Sequence, residues 1–202
     1  MAARELTLDL ALTIRHDGHG GVADDLSEPQ GLTRWVHDHG DELAGDLDVA
    51  AFAADDHALA AVRELRAAVR ALFARAVSPE APSPADALRL LEPAEALRRL
   101  NAAAATVPAV PRLDWPQGAP PSAVTHPAAP VPGRVALAAT LARSAVAFLA
   151  GPDRERLRAC HAPRCVRYFI KEHPRQEWCK PSCGNRARVA RHHERHRTSG
   201  PK

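Results

Sequence analysis

Residues 178–197 read WCKPSCGNRARVARHHERHR. Cys179 and Cys183 stand four positions apart, Gly184, Asn185 and Arg186 follow at once, and arginine and histidine crowd the remainder. From Asn185 to Ser199 there is neither proline nor glycine, so most of that stretch is expected to be helical. On a helix, Arg188, Arg191 and Arg195 fall within about 60° of one another. Val189, His193 and His196 fall on roughly the opposite side. One face is therefore an arginine stripe, and the other is free to pack on the rest of the tail. Arginine suits phosphate because its planar fork donates two hydrogen bonds. Arg186 and Arg197, with Arg164, Arg167, Lys171 and Arg175, widen the patch.

Upstream, Cys160 and Cys165 complete the pattern C-x4-C-x13-C-x3-C. Zinc takes four soft ligands in a tetrahedron, commonly as two short-spaced pairs. Both gaps exceed the commonest C-x2-C, and disulfide or redox use is the competing reading. It is disfavoured by the start of the chain: Glu5 and Asp9 interrupt the apolar run that a secretion signal needs. A cytoplasmic location, where thiols stay reduced, is the expectation. Four cysteine ligands leave no open position, so the zinc is expected to stabilise rather than catalyse. Residues 166–170 and the stretch up to Trp178 are expected to form a hairpin, with Phe169 and Trp178 covering the metal. The following helix would supply the last ligands from its first turn. That order, knuckle, hairpin and helix, resembles a treble clef. His161 and His173 are nearby alternatives as ligands and are assigned to the surface.

The charge is divided unevenly. Residues 151–202 hold 14 of the 27 Lys and Arg but 5 of the 24 Asp and Glu, so this tail carries +9 and residues 1–150 carry −6. An anionic partner for the tail follows. The chain before it is expected to be a mainly α domain, residues 1–150, with a core separate from that of the zinc domain, residues 151–202. Residues 4–15 suit either strand or helix. Residues 27–39 start a helix, with Ser27 as cap and Pro29 in the first turn. The clearest helix spans roughly 55–77, where Val62, Leu65, Val69, Leu72 and Phe73 form a stripe and Arg63, Glu64, Arg66 and Arg70 lie off it. Shorter helices are expected near 84–91 and 93–103. Residues 106–133 hold 8 of the 18 prolines and read either as a flexible linker or as a small β-hairpin packed on the helices. Residues 134–150 are apolar almost all round and are expected to be buried. No run of about 18 uninterrupted apolar residues marks a membrane span.

Together, C-x4-C, Tyr168-Phe169, Trp178-Cys179 and the tetrapeptide Cys183-Gly184-Asn185-Arg186 resemble the CGNR zinc-finger family, named for that tetrapeptide. LDLALT at 8–13, DDLSEPQGLTRWV at 24–36 and ARSAVAFLAGPDRERLRACHAPRC at 142–165 are similar to the opening and close of its companion N-terminal domain, ABATE, described as a stress-induced transcription regulator. The resemblance implies DNA binding by the finger. Two positions depart from the family pattern: Leu12 stands where an Asn often precedes the Thr, and Ile170 follows Phe169 where an Asp is usual.

The expected function is nucleic-acid binding, on duplex DNA before RNA, by a transcriptional regulator whose N-terminal part senses a small-molecule effector or dimerises. An RNA-binding accessory protein and a zinc-stapled protein-interaction module are the alternatives. No Gly-rich phosphate loop, nucleophile motif or open metal site points to an enzyme.

Overall fold

Leu6 and Leu10 lie one helical turn apart and are both buried, so the N-terminal run is a helix, α1 (Ala2–Leu12). The computed structural model of the chain describes residues 2–19, 21–86 and 90–198. Strands β1 (Ile14–His16) and β2 (Val22–Asp24) pair antiparallel across the glycine-rich turn. Helix α2 (Pro29–Asp38) carries Pro29 in its first turn as expected, but Glu28 rather than Ser27 is its N-cap, and no side chain caps it. Leu32, Trp35 and Val36 are buried on its inner face. A Cβ at Gly31 would sit 2.2 Å from the Asp25 carbonyl oxygen, so the entry into α2 closes only on glycine. The single turn α3 (Gly40–Leu43) leads to α4 (Asp56–Val77), the long amphipathic run. Asp55 caps α4 by accepting the Ala58 N–H at 2.7 Å.

Of the two shorter helices expected next, the first is a single 3-10 turn, Pro84–Asp86, with 87–89 outside the described residues. The second is α5 (Pro93–Ala105), led by Pro93. Residues 106–133 do form a hairpin, from β3 (Ala109–Asp114) and β4 (Ser122–Pro127). It does not pack on the helices: Leu113 is 65% exposed and Trp115 67%. Helix α6 (Gly133–Ala150) then runs through the middle of the body, against α1, α4 and α5. Its length and composition alone would allow it to cross a membrane, yet Ala136, Leu137, Leu141, Ala142, Ala145 and Phe148 belong to the shared core.

The tail adds β5 (Leu157–Ala159), β6 (Tyr168–Ile170) and α7 (Pro181–Thr198). The pairing corrects the sequence reading. Strand β6 pairs with β5, which precedes the first cysteine, and not with the stretch before Trp178. Alternation along these strands gives the hairpin two apolar faces. Leu157, Ala159, Tyr168 and Ile170 enter the main core, while Phe169 points the other way, to the cysteines. Two clusters form, but β6 contributes to both, so the tail is not packed independently of the main core.

A second correction concerns α4. Arg66 and Arg70, placed off the apolar stripe by sequence, are buried. Arg66 binds both carboxylate oxygens of Asp24, at 2.6 and 2.7 Å, and donates to the Thr13 hydroxyl at 2.8 Å. Burial pushes the Asp24 carboxyl up, but the bonds and charge of Arg66 outweigh it and hold it below the usual range. Arg70 donates to Asp86 at 2.7 Å and to the Ala11 carbonyl at 2.5 Å. Tyr168 donates to the other oxygen of Asp86, at 2.7 Å, and the Ser83 hydroxyl donates to the Val166 carbonyl at 2.8 Å. This network ties α1, α4 and the Pro84–Asp86 turn to the tail strand β6.

His39, at the C-terminal end of α2, stacks on Trp35 and contacts Asp9 of α1 through Nε2 at 3.4 Å. The bond to Asp9 raises its pKa above 6.5, against the opposing effect of burial. A folded pKa above the unfolded one means that the contribution is complete below about pH 6.5 and is lost as pH rises through the folded value. The melting temperature of wild type minus that of His39→Asn should therefore be greatest near pH 5 and shrink toward about pH 9. A difference that grows with pH would contradict the assignment.

Candidate metal centre and nucleic-acid interface

Cys160 and Cys165 stand at the tip of the β5–β6 hairpin, Cys179 lies two residues before α7, and Cys183 occupies the first turn of α7. The four sulfurs lie within 4.8 Å of one another, and none is in a disulfide. Cys165 and Cys179 are 3.6 Å apart at sulfur, and Cys179 and Cys183 are 3.5 Å apart. A tetrahedron of about 2.3 Å metal–sulfur bonds needs sulfurs about 3.8 Å apart, and four sulfurs within 4.8 Å of one another are close to that arrangement. Phe169 and Trp178 pack against the sulfurs, as expected from sequence. Neither His161 nor His173 joins the cluster.

The electrostatics of the cluster favour a dication. Hydrogen bonds from Cys165 and Cys179 push the Cys160 thiol down to about 2, helped by the backbone N–H groups of Cys179 and Ala162 and opposed by burial. Donating to that sulfur pushes Cys165 up to about 11 and Cys179 further up. One proton leaves readily and the next is held, which is the condition a bound metal ion relieves by displacing protons.

Each residue of the tetrapeptide has a visible task. Cys183 is a ligand candidate. At Gly184 a Cβ would lie 3.0 Å from the Trp178 ring, so glycine lets the indole cover the site. The Asn185 amide oxygen accepts a hydrogen bond from Arg188. Arg186 donates to the Cys183 sulfur at 3.1 Å and to the Pro163 carbonyl at 3.1 Å, fastening α7 to the first cysteine loop. Arg186, read from sequence as widening the basic patch, is engaged as a strut of the centre.

Beyond Ala187 the helix is bare. Every described side chain from Arg188 to Arg195 is exposed, including Val189 and His193. The packing face expected from Val189 and His193 does not form, and among the described side chains α7 is anchored only as far as Ala187. Arg191 and Arg195 reach back to the carbonyls of Ala187 and Arg191, and both side chains are exposed. The side chains of His196 and Arg197 lie outside the described residues. Sequence reasoning missed Arg70, Ser83 and Asp86, which brace the tail from behind. Its one signal was spacing: Val62, Arg66 and Arg70 follow at four-residue intervals and so share a buried row.

Comparison with known families matches residues 4–152 to ABATE, whose description is "Putative stress-induced transcription regulator". Residues 156–196 match the CGNR zinc finger. No curated protein matches the chain.

Proposed function

Because the chain belongs to the ABATE family and closes with a CGNR zinc finger, we propose that it is a DNA-binding transcriptional regulator. Zinc held by Cys160, Cys165, Cys179 and Cys183 fixes the root of α7, and Arg188, Arg191 and Arg195, with Arg197, meet duplex phosphates. The observation that carries this reading is the bare helix. Its only described acid between Arg188 and Arg195 is Glu194, and every described side chain over that span is exposed. Zinc here supplies rigidity and no chemistry, since cysteines fill all four positions and leave none for a substrate. The protein is not an enzyme in this reading, and it works where thiols stay reduced.

Burial favours duplex DNA over single-stranded RNA. Stacking on unpaired bases needs available aromatic faces; of the three Phe, Tyr and Trp residues of the tail, Tyr168 and Phe169 are buried and Trp178 packs on the sulfurs. A small-molecule effector has room in a cavity of about 290 Å3 among α4, α5 and α6, lined by Ala61, Leu65, Val135 and Ala138 with His57 and Arg134.

The test is the salt dependence of binding. Each lost phosphate contact on duplex DNA should lower the slope of log affinity against log salt by about 0.9. The triple variant Arg188→Gln, Arg191→Gln, Arg195→Gln should therefore lose slope and affinity for every duplex alike, because phosphate contacts position without specifying sequence. No described side chain of this arm is packed, so the fold should be retained. Unchanged affinity and slope would reject the reading and favour a zinc-stapled protein-interaction module.

A further inference from the structure

A cleft of about 280 Å3 opens between the β1–β2 turn of the body and the metal centre. It is lined by Arg15 and His16 from the body and by Arg164, Arg167, Lys180 and Arg186 from the tail, with Ser182 in the first turn of α7. No carboxylate lines it. Arg15 is paired with Asp25, and Arg186 serves the Cys183 sulfur and the Pro163 carbonyl. No described hydrogen bond or ion pair engages the side chains of Arg164, Arg167 or Lys180.

Two buried nitrogens in these lining residues have no partner among the described residues: His16 Nε2 and Arg167 Nε. Both are donors. Arg167 Nε always carries a hydrogen. His16 Nδ1 accepts the Gly18 N–H at 2.8 Å, which places the hydrogen of the neutral ring on Nε2. A buried donor without an acceptor costs about 1–3 kcal/mol, so each nitrogen needs an oxygen beside it, which a water or an anion supplies. The charge sharpens this. Five cations line the cleft and no carboxylate does, so the local field is positive and favours an anion.

We propose that this cleft binds a small phosphate-bearing dianion, either inorganic phosphate or a phosphomonoester. The site is separate from the arginine arm. It joins body to tail, so its ligand would be held by both. Its volume, at the low end for ligand cavities, suits a phosphate with at most a small attached group. A terminal phosphate, with its second negative charge, suits this field better than a duplex phosphodiester, which carries one.

The test uses the zinc-loaded full chain, titrated calorimetrically with inorganic phosphate against chloride at matched ionic strength. Saturable one-site binding is expected. It should weaken by at least about tenfold in Arg164→Gln/Arg167→Gln, since charge-assisted hydrogen bonds are lost. Lys180→Gln, at an exposed position, should weaken it by a smaller factor and serves if the double variant loses zinc. The arm triple variant should bind phosphate as wild type does. Absence of saturable binding, or loss in the arm variant rather than the cleft variants, overturns the proposal. Duplex DNA separates the sources. Duplex affinity within about twofold of wild type in the cleft variants supports a small dianion, whereas a loss as large as that for phosphate assigns the cleft to the DNA backbone and overturns the small-ligand assignment.

Discussion

Replacing Asp86 with alanine is expected to cost about 3–5 kcal/mol of global stability, because it strands a buried cation. Arg70 is 4% exposed, and Asp86 is the only carboxylate among its described partners. The Ala11 carbonyl, the Ser83 hydroxyl and the Tyr168 ring, 5.3 Å from the guanidinium carbon, would remain, but none carries a negative charge. Tyr168→Phe removes a single hydroxyl from the same network and should cost only about 1–2 kcal/mol. The ranking is the test. Urea denaturation of both variants should place the Asp86→Ala midpoint well below that of Tyr168→Phe. Equal midpoints would show that Asp86 is not what balances Arg70. The cost should also reach the metal centre, since the same network accepts the tail at Val166 and Tyr168.

Cys183→Ser should lose zinc and destabilise the whole chain, not the tail alone. A structural zinc site contributes folding free energy directly. Here the hairpin whose tip carries Cys160 and Cys165 also lends Leu157, Ala159, Tyr168 and Ile170 to the main core. A loss of about 3 kcal/mol in a chain of this size corresponds to roughly 6–12 °C in melting temperature. The same shift is expected when a strong chelator strips wild type. Circular dichroism should show one broad loss at the lower temperature. A body that melts where the zinc-loaded wild type does would show that β5 and β6 hold their place without the metal.

Much of this was legible from sequence because it follows from spacing. The α4 stripe, the α6 core helix and the four-cysteine cluster are each periodic or sharply patterned, and each formed. What failed were inferences needing a neighbour. A hairpin reading places the strand opposite Tyr168–Ile170 in the stretch up to Trp178, but residues 171–177 are polar apart from Pro174. Leu157–Ala159 is only three residues long and hides behind the arginines and glutamate of the turn before it. The buried Arg66 and Arg70 were unreadable for a similar reason. An arginine among alanines looks solvated until Asp24 and Asp86, distant in sequence, arrive beside it. The cleft was half visible: Arg164 and Arg167 were noted as basic, but Arg15 and His16 come from the opposite end of the chain.

The bare arm of α7 has a meaning in helix–coil terms. An isolated helix of its length is marginal in water, chiefly because the first turn must be fixed before any hydrogen bond repays it. With a nucleation constant of about 10⁻³, that penalty is on the order of 4 kcal/mol. Here the first turn is already pinned, by Cys183 among the sulfurs, by Trp178 over Gly184 and by Arg186 on the Pro163 carbonyl. Beyond Ala187 the helix propagates from a ready nucleus, helped by its four arginines and Ala190 and opposed in part by its three histidines and Val189. The arm can therefore stay helical while leaving every side of it open to a partner.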